Sequence, residues 1–237
     1  MFLVVGSSGY LGESIVAKLV NHGPVLQTKN NNFDGKKPED NDFITTFKLD
    51  VTNDKDIRNI ITHIEKNKID ISGVVLNHAF TYVNEDKDNF SSSQDNIRRI
   101  FDVNYFGSIN FVEKLIEHLE KKKSKTKLVC ILSNSLKTLN ASSDHYVASK
   151  AALHKILKIF SKKYAERLII NFISPGLMKS KMTDTRYKEV KNIILSKTPT
   201  GKLTEHDEVS NLVHYFLCEC SDSVVGQNIF IDGGRTI

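Results

Sequence analysis

Short apolar runs alternate with segments of helical periodicity along almost the whole length of this 237-residue chain. Strands that alternate with helices imply consecutive βαβ units, which build a doubly wound parallel sheet. We therefore predict one α/β domain over residues 1–237, Rossmann-like, with a seven-stranded parallel sheet flanked by helices. The predicted strands are residues 2–5, 25–28, 43–49, 69–76, 128–132, 168–173 and 226–231.

Two segments between these strands are polar or charged. Residues 30–43 are polar and rich in turn-forming residues, so we predict a loop or at most one helical turn there. Residues 177–203 are strongly charged, and we expect them to form a mobile cover over a site. Elsewhere between the strands, apolar side chains recur at helical spacing. Predicted helices begin near Leu11, after the potential N-cap Asn53 and near Asp207, and two longer helices span 97–119 and 146–165.

A glycine-rich turn follows the first predicted strand and opens the first predicted helix. This arrangement lets backbone N–H groups and a helix N-terminus hold a pyrophosphate. The alternative, in which the glycines only make a tight turn, is less favoured at this place in the chain. The predicted cofactor-binding residues of the turn are Gly6, Ser7, Ser8, Gly9, Tyr10, Leu11 and Gly12.

The end of the second strand is where a dinucleotide's adenosine ribose is expected to lie. An acidic side chain there selects the free 2′-hydroxyl of NAD, but this chain has Thr28-Lys29-Asn30 instead. A cation suits a 2′-phosphate, so Lys29 favours NADP(H) over NAD(H). The competing interpretation is that Lys29 only points to water.

Tyr146 and Lys150 are four residues apart on a predicted helix, so their side chains project from the same face. An ammonium group there is expected to lower the pKa of the phenol from its usual value of about 10. A tyrosine tuned in this way exchanges a proton with a carbonyl or alcohol oxygen. Ser133, which follows the fifth strand, is expected to face the crevice where open α/β sheets bind ligands.

A second set with the same spacing serves as an internal control. Tyr187 and Lys191 are also four residues apart, and Ser174 precedes Tyr187 by the same interval that separates Ser133 from Tyr146. Ser174 runs directly into Pro175, and Tyr187 lies in a strongly charged stretch. A solvated helix face is the favoured interpretation of this second set.

Composition excludes several other classes of protein. The net charge of +5 comes from lysines spread along the chain, and the densest cluster, residues 121–127, has no interleaved aromatic side chains. We therefore expect no nucleic-acid partner. The three cysteines do not form a metal-ligand pattern, so no metal site is predicted. No apolar run approaches the roughly 18 residues of a membrane span and no signal segment precedes the first strand, so a cytoplasmic protein is expected.

Together these motifs resemble the short-chain dehydrogenase/reductase family, in its shorter branch with an ending like that of the 3-oxoacyl reductases. The resemblance runs from Phe2 to Gly234 and includes the Tyr-x-x-x-Lys core. Asn104 matches the family's asparagine, and an asparagine inside a helix is otherwise unfavourable. The remaining matches are Ser133, the adenine-contacting pair Asp50 and Val51, Asn77 and Ala79 after the fourth strand, Pro175 and Gly176 beside the nicotinamide, and the segment 226–234. Ser180 departs from the pattern, because it stands where a threonine usually contacts the cofactor's carboxamide, but it keeps a hydroxyl.

The resemblance implies an NAD(P)(H)-dependent oxidoreductase that moves a hydride between the nicotinamide and a carbonyl or secondary alcohol. Tyr146 would be the acid/base, and Ser133 would hold the substrate oxygen. Lys150 would support the phenolate and bind the nicotinamide ribose, and Asn104 would hold a relaying water. Family members are commonly homodimers or homotetramers that pack through two long helices, here predicted at 97–119 and 146–165.

Three departures from the family pattern keep other functions open. The glycine spacing places Tyr10 where the middle glycine usually lies, Phe80 replaces a glycine, and the helix between the second and third strands is missing. These features motivate an alternative function as a non-catalytic dinucleotide-binding regulator or scaffold subunit. A third hypothesis is an epimerase or dehydratase that uses the same groups without net redox change.

Overall fold

The computed structural model describes residues 1–30, 43–82, 93–139, 143–180 and 184–237. The seven strands form one sheet in the order β3-β2-β1-β4-β5-β6-β7, and every pairing is parallel. The predicted fold class is therefore confirmed. The strands are β1 Phe2–Val5, β2 Val25–Lys29, β3 Ile44–Lys48, β4 Gly73–Leu76, β5 Thr126–Ile131, β6 Leu168–Pro175 and β7 Asn228–Ile231.

Helices connect the strands and cover both faces of the sheet. The predicted long helix at 97–119 begins earlier and contains a π-helical segment, Asp102–Gly107, between α3 and α4. Asn53 caps α2 as expected, because its side chain accepts a hydrogen bond from the backbone N–H of Lys55. The helices are α1 Tyr10–Leu19, α2 Asp54–Lys66, α3 Gln94–Phe101, α4 Ser108–Lys122, α5 Ser135–Thr138, α6 Asp144–Lys163, α7 Asp184–Ser196 and α8 His206–His214.

The hydrophobic core lies in two layers because side chains alternate across each strand. In β1, Leu3 and Val5 pack in the layer that α2, α4 and α6 cover. Phe2 and Val4 pack in the opposite layer, which α1 and α8 cover. Burial on both faces explains why the strands read as continuous apolar runs in the sequence.

The start of the fourth strand differs most from the sequence prediction. The fourth strand begins at Gly73, not at residue 69, because Ile69 donates to the carbonyl of Ile64 at the end of α2 and sheet pairing starts only at Gly73. Within the charged segment 177–203, α7 carries Tyr187 and Lys191, for which a solvated helix face was favoured, and the mobile cover remains a prediction. Segment 31–42, which holds most of the predicted loop at 30–43, lies outside the described residues.

Candidate active site

The predicted site residues follow the carboxyl ends of six different strands. Strand order reverses at β1, whose neighbours are β2 on one side and β4 on the other. Ligands of open α/β sheets bind in the crevice beyond the strand ends at such a switch point. The glycine-rich turn follows β1, Lys29 ends β2, Asp50 follows β3, Asn77 follows β4, Ser133 follows β5 and Gly176 follows β6.

Two of the three glycines in the turn are required by the protein itself. Gly6 has a φ of +87°, and a Cβ there would lie 2.6 Å from the backbone nitrogen of His78. A Cβ on Gly12 would lie 2.6 Å from the Cα of Ser7. A Cβ on Gly9 would meet nothing within 4 Å, although Gly9 is the N-cap of α1. The space beside Gly9 is therefore open to a ligand that approaches the helix N-terminus.

Hydrogen bonds hold the glycine-rich turn against β2 and β4. The backbone N–H of Gly6 donates to the Thr28 hydroxyl at 3.2 Å, and the Ser7 hydroxyl donates to the Thr28 carbonyl at 3.1 Å. The amide of Asn77 donates to the carbonyl of Gly6 at 2.7 Å. Asn77 therefore has a direct structural role in shaping the turn.

The expected adenosine side of the crevice is formed by the ends of β2 and β3. Lys29 is partly exposed, and its carbonyl accepts a hydrogen bond from Leu49 at 2.9 Å. Burial raises the pKa of Asp50, but hydrogen bonds from Thr52 and Asn30 outweigh it, so that pKa lies below its ordinary value. Asp50 is therefore an ionised acceptor at neutral pH, two residues beyond Lys48, which pairs with Lys29 across β2 and β3.

Helix α6 brings Lys150 beneath Tyr146 and toward the end of β5. The Nζ of Lys150 lies 5.9 Å from the centroid of the Tyr146 ring and donates to the carbonyl of Ile131 at 3.0 Å. Lys150 is only 2% exposed, whereas the phenol ring of Tyr146 is partly buried. Because Ile131 precedes Ser133 by two residues, three of the four predicted catalytic residues, Ser133, Tyr146 and Lys150, lie near the carboxyl end of β5.

The electrostatics correct one expectation from the sequence. Lys150 was expected to lower the pKa of the Tyr146 phenol, but burial, with a smaller contribution from Cys130, raises that pKa to about 12. Burial also disfavours the charged ammonium of Lys150, and the pKa of Lys150 is therefore below its ordinary value. Removal from water therefore outweighs the attraction between phenolate and ammonium in the protein by itself. At neutral pH Tyr146 is a protonated phenol, which is the form that donates a proton.

Asn104 is completely buried in the π-helical segment and uses its whole side-chain amide for hydrogen bonds. Its Oδ1 accepts from the backbone N–H of Phe80 at 2.7 Å, and its Nδ2 donates to the carbonyl of Phe80 at 2.9 Å. The same Nδ2 donates to the Ser149 hydroxyl at 3.0 Å, which in turn donates to the carbonyl of Tyr146 at 2.8 Å. Asn104 therefore ties the loop after β4 to the turn of α6 that carries Tyr146. The π-helical segment, a feature often found at functional sites, is what places it there.

The ends of β5, β6 and β7 are joined by backbone hydrogen bonds behind the site. The hydroxyl oxygen of Ser133 accepts from the backbone N–H of Ser135 at 3.1 Å. Asn134 donates to the carbonyl of Pro175 at 2.9 Å, and Gly176 donates to the carbonyl of Ile231 at 2.7 Å. Ser180 lies four residues beyond Gly176 and is partly buried.

Two side chains near the site were not predicted to take part in it. His78 contacts the Ser108 hydroxyl at 2.8 Å, and Ser108 donates to the carbonyl of Asn104 at 2.9 Å. Burial, with help from the charge of Lys150, lowers the pKa of His78 to about 3, so His78 is a neutral packing residue. Arg99 lies over the ring of Phe80 at 4.5 Å, and the sequence signal for it was the bulky residue at position 80.

The described parts of the chain contain neither a membrane-spanning helix nor a metal-binding cluster. No helix there is long and apolar enough to cross a membrane. Among the same residues, no group of three or more histidine, cysteine or acidic side chains is placed to hold a metal ion.

Comparison with known proteins identifies relatives over the full length of the chain. A family model described as enoyl-(acyl carrier protein) reductase matches residues 12–236. A 3-oxoacyl-(acyl-carrier-protein) reductase FabG of Rickettsia bellii is 26% identical over 236 residues, covering 98% of this chain and 95% of the relative. A diacetyl reductase, (S)-acetoin forming, of Staphylococcus epidermidis is 25% identical and covers 98% of this chain and 96% of the relative.

Solved structures share the fold at lower identity. A short-chain dehydrogenase from Leptospira borgpetersenii with bound NAD⁺ has a TM-score of 0.86 and 21% identity, covering 100% of this chain and 92% of that chain. A 4-hydroxyisoleucine dehydrogenase mutant in complex with NADH and succinate has a TM-score of 0.89 and 20% identity, with coverages of 100% and 98%.

Proposed function

The chain belongs to the short-chain dehydrogenase/reductase family, whose members are NAD(P)-dependent oxidoreductases, and on that premise we propose that Tyr146 is its general acid and base. The reaction is hydride transfer between a nicotinamide dinucleotide and a carbonyl or secondary alcohol. The observation that carries the proposal is the approach of α6 to the end of β5, where Lys150 donates to Ile131 beside Ser133.

The residues present fit a dinucleotide, because the turn after β1 is open at Gly9 and closed by packing at Gly6 and Gly12. The backbone N–H groups that open α1 would hold the pyrophosphate. When bound, the nicotinamide supplies or accepts the hydride. Asp50, Val51 and Ala79 would line the adenosine side, and Pro175, Gly176 and Ser180 would line the nicotinamide side.

In the reducing direction, the side chains act on the substrate oxygen. The Ser133 hydroxyl would hold the carbonyl oxygen in place, and Tyr146, protonated at neutral pH, would donate the proton that the new alcohol requires. Lys150 lies beneath the phenol and would stabilise the phenolate that remains. Asn104 bonds both to the loop after β4 and to the first turns of α6, and these bonds would hold the Tyr146 phenol in position.

NADP(H) is the proposed cofactor in preference to NAD(H). Lys29 ends β2, where an adenosine 2′-phosphate would lie, and it is partly exposed. Small carbonyl compounds, including 3-oxoacyl thioesters and vicinal diketones, are the proposed substrates, because relatives named for both reactions cover almost the whole chain. A cytoplasmic homodimer or homotetramer, packed through α4 and α6, completes the proposal.

The test is a fluorescence titration with NADPH and NADH, followed by a screen for ketone-dependent oxidation of NADPH. Tight NADPH binding, weaker NADH binding and turnover that Tyr146→Phe abolishes would support the proposal. Binding without turnover on any ketone would favour the non-catalytic regulator instead. If neither dinucleotide binds, both functions are wrong.

A further inference from the structure

The guanidinium of Arg99 lies over the ring of Phe80, in the loop after β4. Its Cζ is 4.5 Å from the centroid of the Phe80 ring, well inside the range of about 6 Å for a cation–π contact. Arg99 is exposed near the end of α3, while its neighbour Ile100 is completely buried and anchors that helix to the core. The backbone that carries Arg99 is therefore held firmly while its side chain faces outward.

The ring beneath Arg99 is also held in place. Both backbone groups of Phe80 are bonded to the buried side chain of Asn104, at 2.7 Å and 2.9 Å. A pinned backbone limits the positions available to the ring. Phe80 is therefore a platform for the guanidinium, whereas a glycine, the residue usual in the family, would leave Arg99 without support.

Arg99 also acts on the carboxylate of Asp50, which lies beyond the end of a different strand. Asp50 follows β3, whereas Phe80 comes after β4, and β2 and β1 lie between those strands. Burial and the hydrogen bonds of Thr52 have the largest effects on the pKa of Asp50, and the charge of Arg99 contributes to lowering it. The positive charge of Arg99 therefore acts on the carboxylate that follows β3, while its guanidinium contacts the loop after β4.

The guanidinium N–H groups of Arg99 have no protein acceptor within the part of the chain that the structure describes. No carboxylate there lies within ion-pair distance of the guanidinium, and no carbonyl accepts from it. A guanidinium is planar, so one face can rest on a phenyl ring while the opposite face remains available to another aromatic ring. An adenine base has the flat π-surface that such a face binds.

We propose that Arg99, supported by Phe80, is a binding residue for the adenosine half of the dinucleotide, with the free face of its guanidinium stacked on adenine. The ligand class is any adenosine nucleotide that enters the crevice at the β1–β4 switch point. This inference rests on the proposed function, because it requires that a dinucleotide bind there. Stacking on adenine does not depend on the 2′-phosphate, so Arg99 contributes equally to NADPH and NADH.

The experiment measures dissociation constants for AMP, reduced nicotinamide mononucleotide, NADPH and NADH by calorimetry. The variants are Arg99→Gln, Arg99→Lys and Phe80→Leu. Arg98→Gln is the matched control, since Arg98 is an equally exposed arginine one residue earlier on the same helix. We expect Arg99→Gln to weaken AMP and both dinucleotides by roughly tenfold. Binding of the nicotinamide mononucleotide should be unchanged, and Arg99→Lys should recover only part of the loss because it keeps the charge without the plane.

Three results would overturn the inference. The first is AMP affinity in Arg99→Gln equal to that in Arg98→Gln. The second is an equal loss for AMP and the nicotinamide mononucleotide, which would indicate general damage to the site. The third is a loss confined to NADPH, which would make Arg99 a phosphate-binding residue. If the unaltered protein binds no dinucleotide, the proposed function itself is wrong, and that failure is visible before any variant is compared.

Discussion

The Nζ of Lys150 lies 5.9 Å from the ring centroid of Tyr146, and a second pair in the chain has the same separation. The Nζ of Lys191 lies 5.9 Å from the ring centroid of Tyr187. The surroundings differ, because Lys150 is 2% exposed and bonded to Ile131, whereas Lys191 is exposed. Helical spacing therefore creates both pairs, and only burial at the strand ends makes one of them a candidate for catalysis.

The two tyrosines provide a matched test of the acid/base assignment. Tyr146→Phe should lower turnover by about 10²–10⁴-fold, because the proton donor is lost while the ring remains. Tyr187→Phe removes the same hydroxyl from the second pair and should leave turnover within about twofold. Steady-state rates with NADPH and an active ketone would measure both. Comparable losses in the two variants would refute the assignment of Tyr146.

Alanine substitutions at two glycines of the glycine-rich turn should distinguish a role in folding from a role in ligand binding. Gly12→Ala should lower the free energy of unfolding by about 1–3 kcal/mol, because its Cβ would overlap the backbone of Ser7. Gly9→Ala should change that free energy by no more than about 0.5 kcal/mol, because a Cβ there meets no protein atom within 4 Å. Urea denaturation measures both values.

The same two variants should behave differently toward the dinucleotide. Gly9→Ala should fold normally yet bind NADPH at least about tenfold more weakly, because its methyl group would fill the space proposed for the pyrophosphate. NADPH titration of the folded variant is the measurement. Unchanged affinity in Gly9→Ala would mean that the pyrophosphate does not lie beside Gly9.

His78 should make folding stability depend on pH below neutrality. Its pKa in the folded chain is about 3, compared with 6.5 for an ordinary histidine, so the unfolded chain binds the extra proton first as pH falls. The free energy of unfolding should therefore drop by about 2 kcal/mol between pH 7 and pH 5 through this group. In His78→Asn this contribution should vanish, while those of the other histidines stay common to both proteins. Urea denaturation at the two pH values tests the difference; parallel losses in both proteins would contradict it.

Lys29 should control the choice between the two dinucleotides. Lys29→Gln should weaken NADPH binding by about tenfold or more and leave NADH binding nearly unchanged, because only NADPH carries the 2′-phosphate. Lys48→Gln is the control, since Lys48 pairs with Lys29 across β2 and β3. Fluorescence titrations with both cofactors measure the two affinities. An equal loss of affinity for NADPH and NADH in Lys29→Gln would show that Lys29 does not bind the 2′-phosphate.

Local patterns in the sequence were sufficient for much of the fold. The apolar runs, the glycine-rich turn and the capping residue Asn53 each depend on neighbours within a few positions, and the parallel sheet follows from their alternation. The start of β4 was predicted too early, because an apolar run does not reveal where pairing with β1 begins. The spacing of Tyr187 and Lys191 indicated a helix face in the charged segment 177–203, but it did not give the bounds of α7.

The sequence by itself determined that Ser133 follows the fifth strand and that Tyr146 and Lys150 share one face of a helix. Only the tertiary structure decided how these groups behave. Burial among distant elements raises the pKa of Tyr146 despite the nearby lysine, and the π-helical segment places Asn104 between the loop after β4 and helix α6. The contact of Arg99 with Phe80 likewise joins two separate elements. Desolvation and contacts between remote residues depend on distances in space, and a linear pattern contains no measure of them.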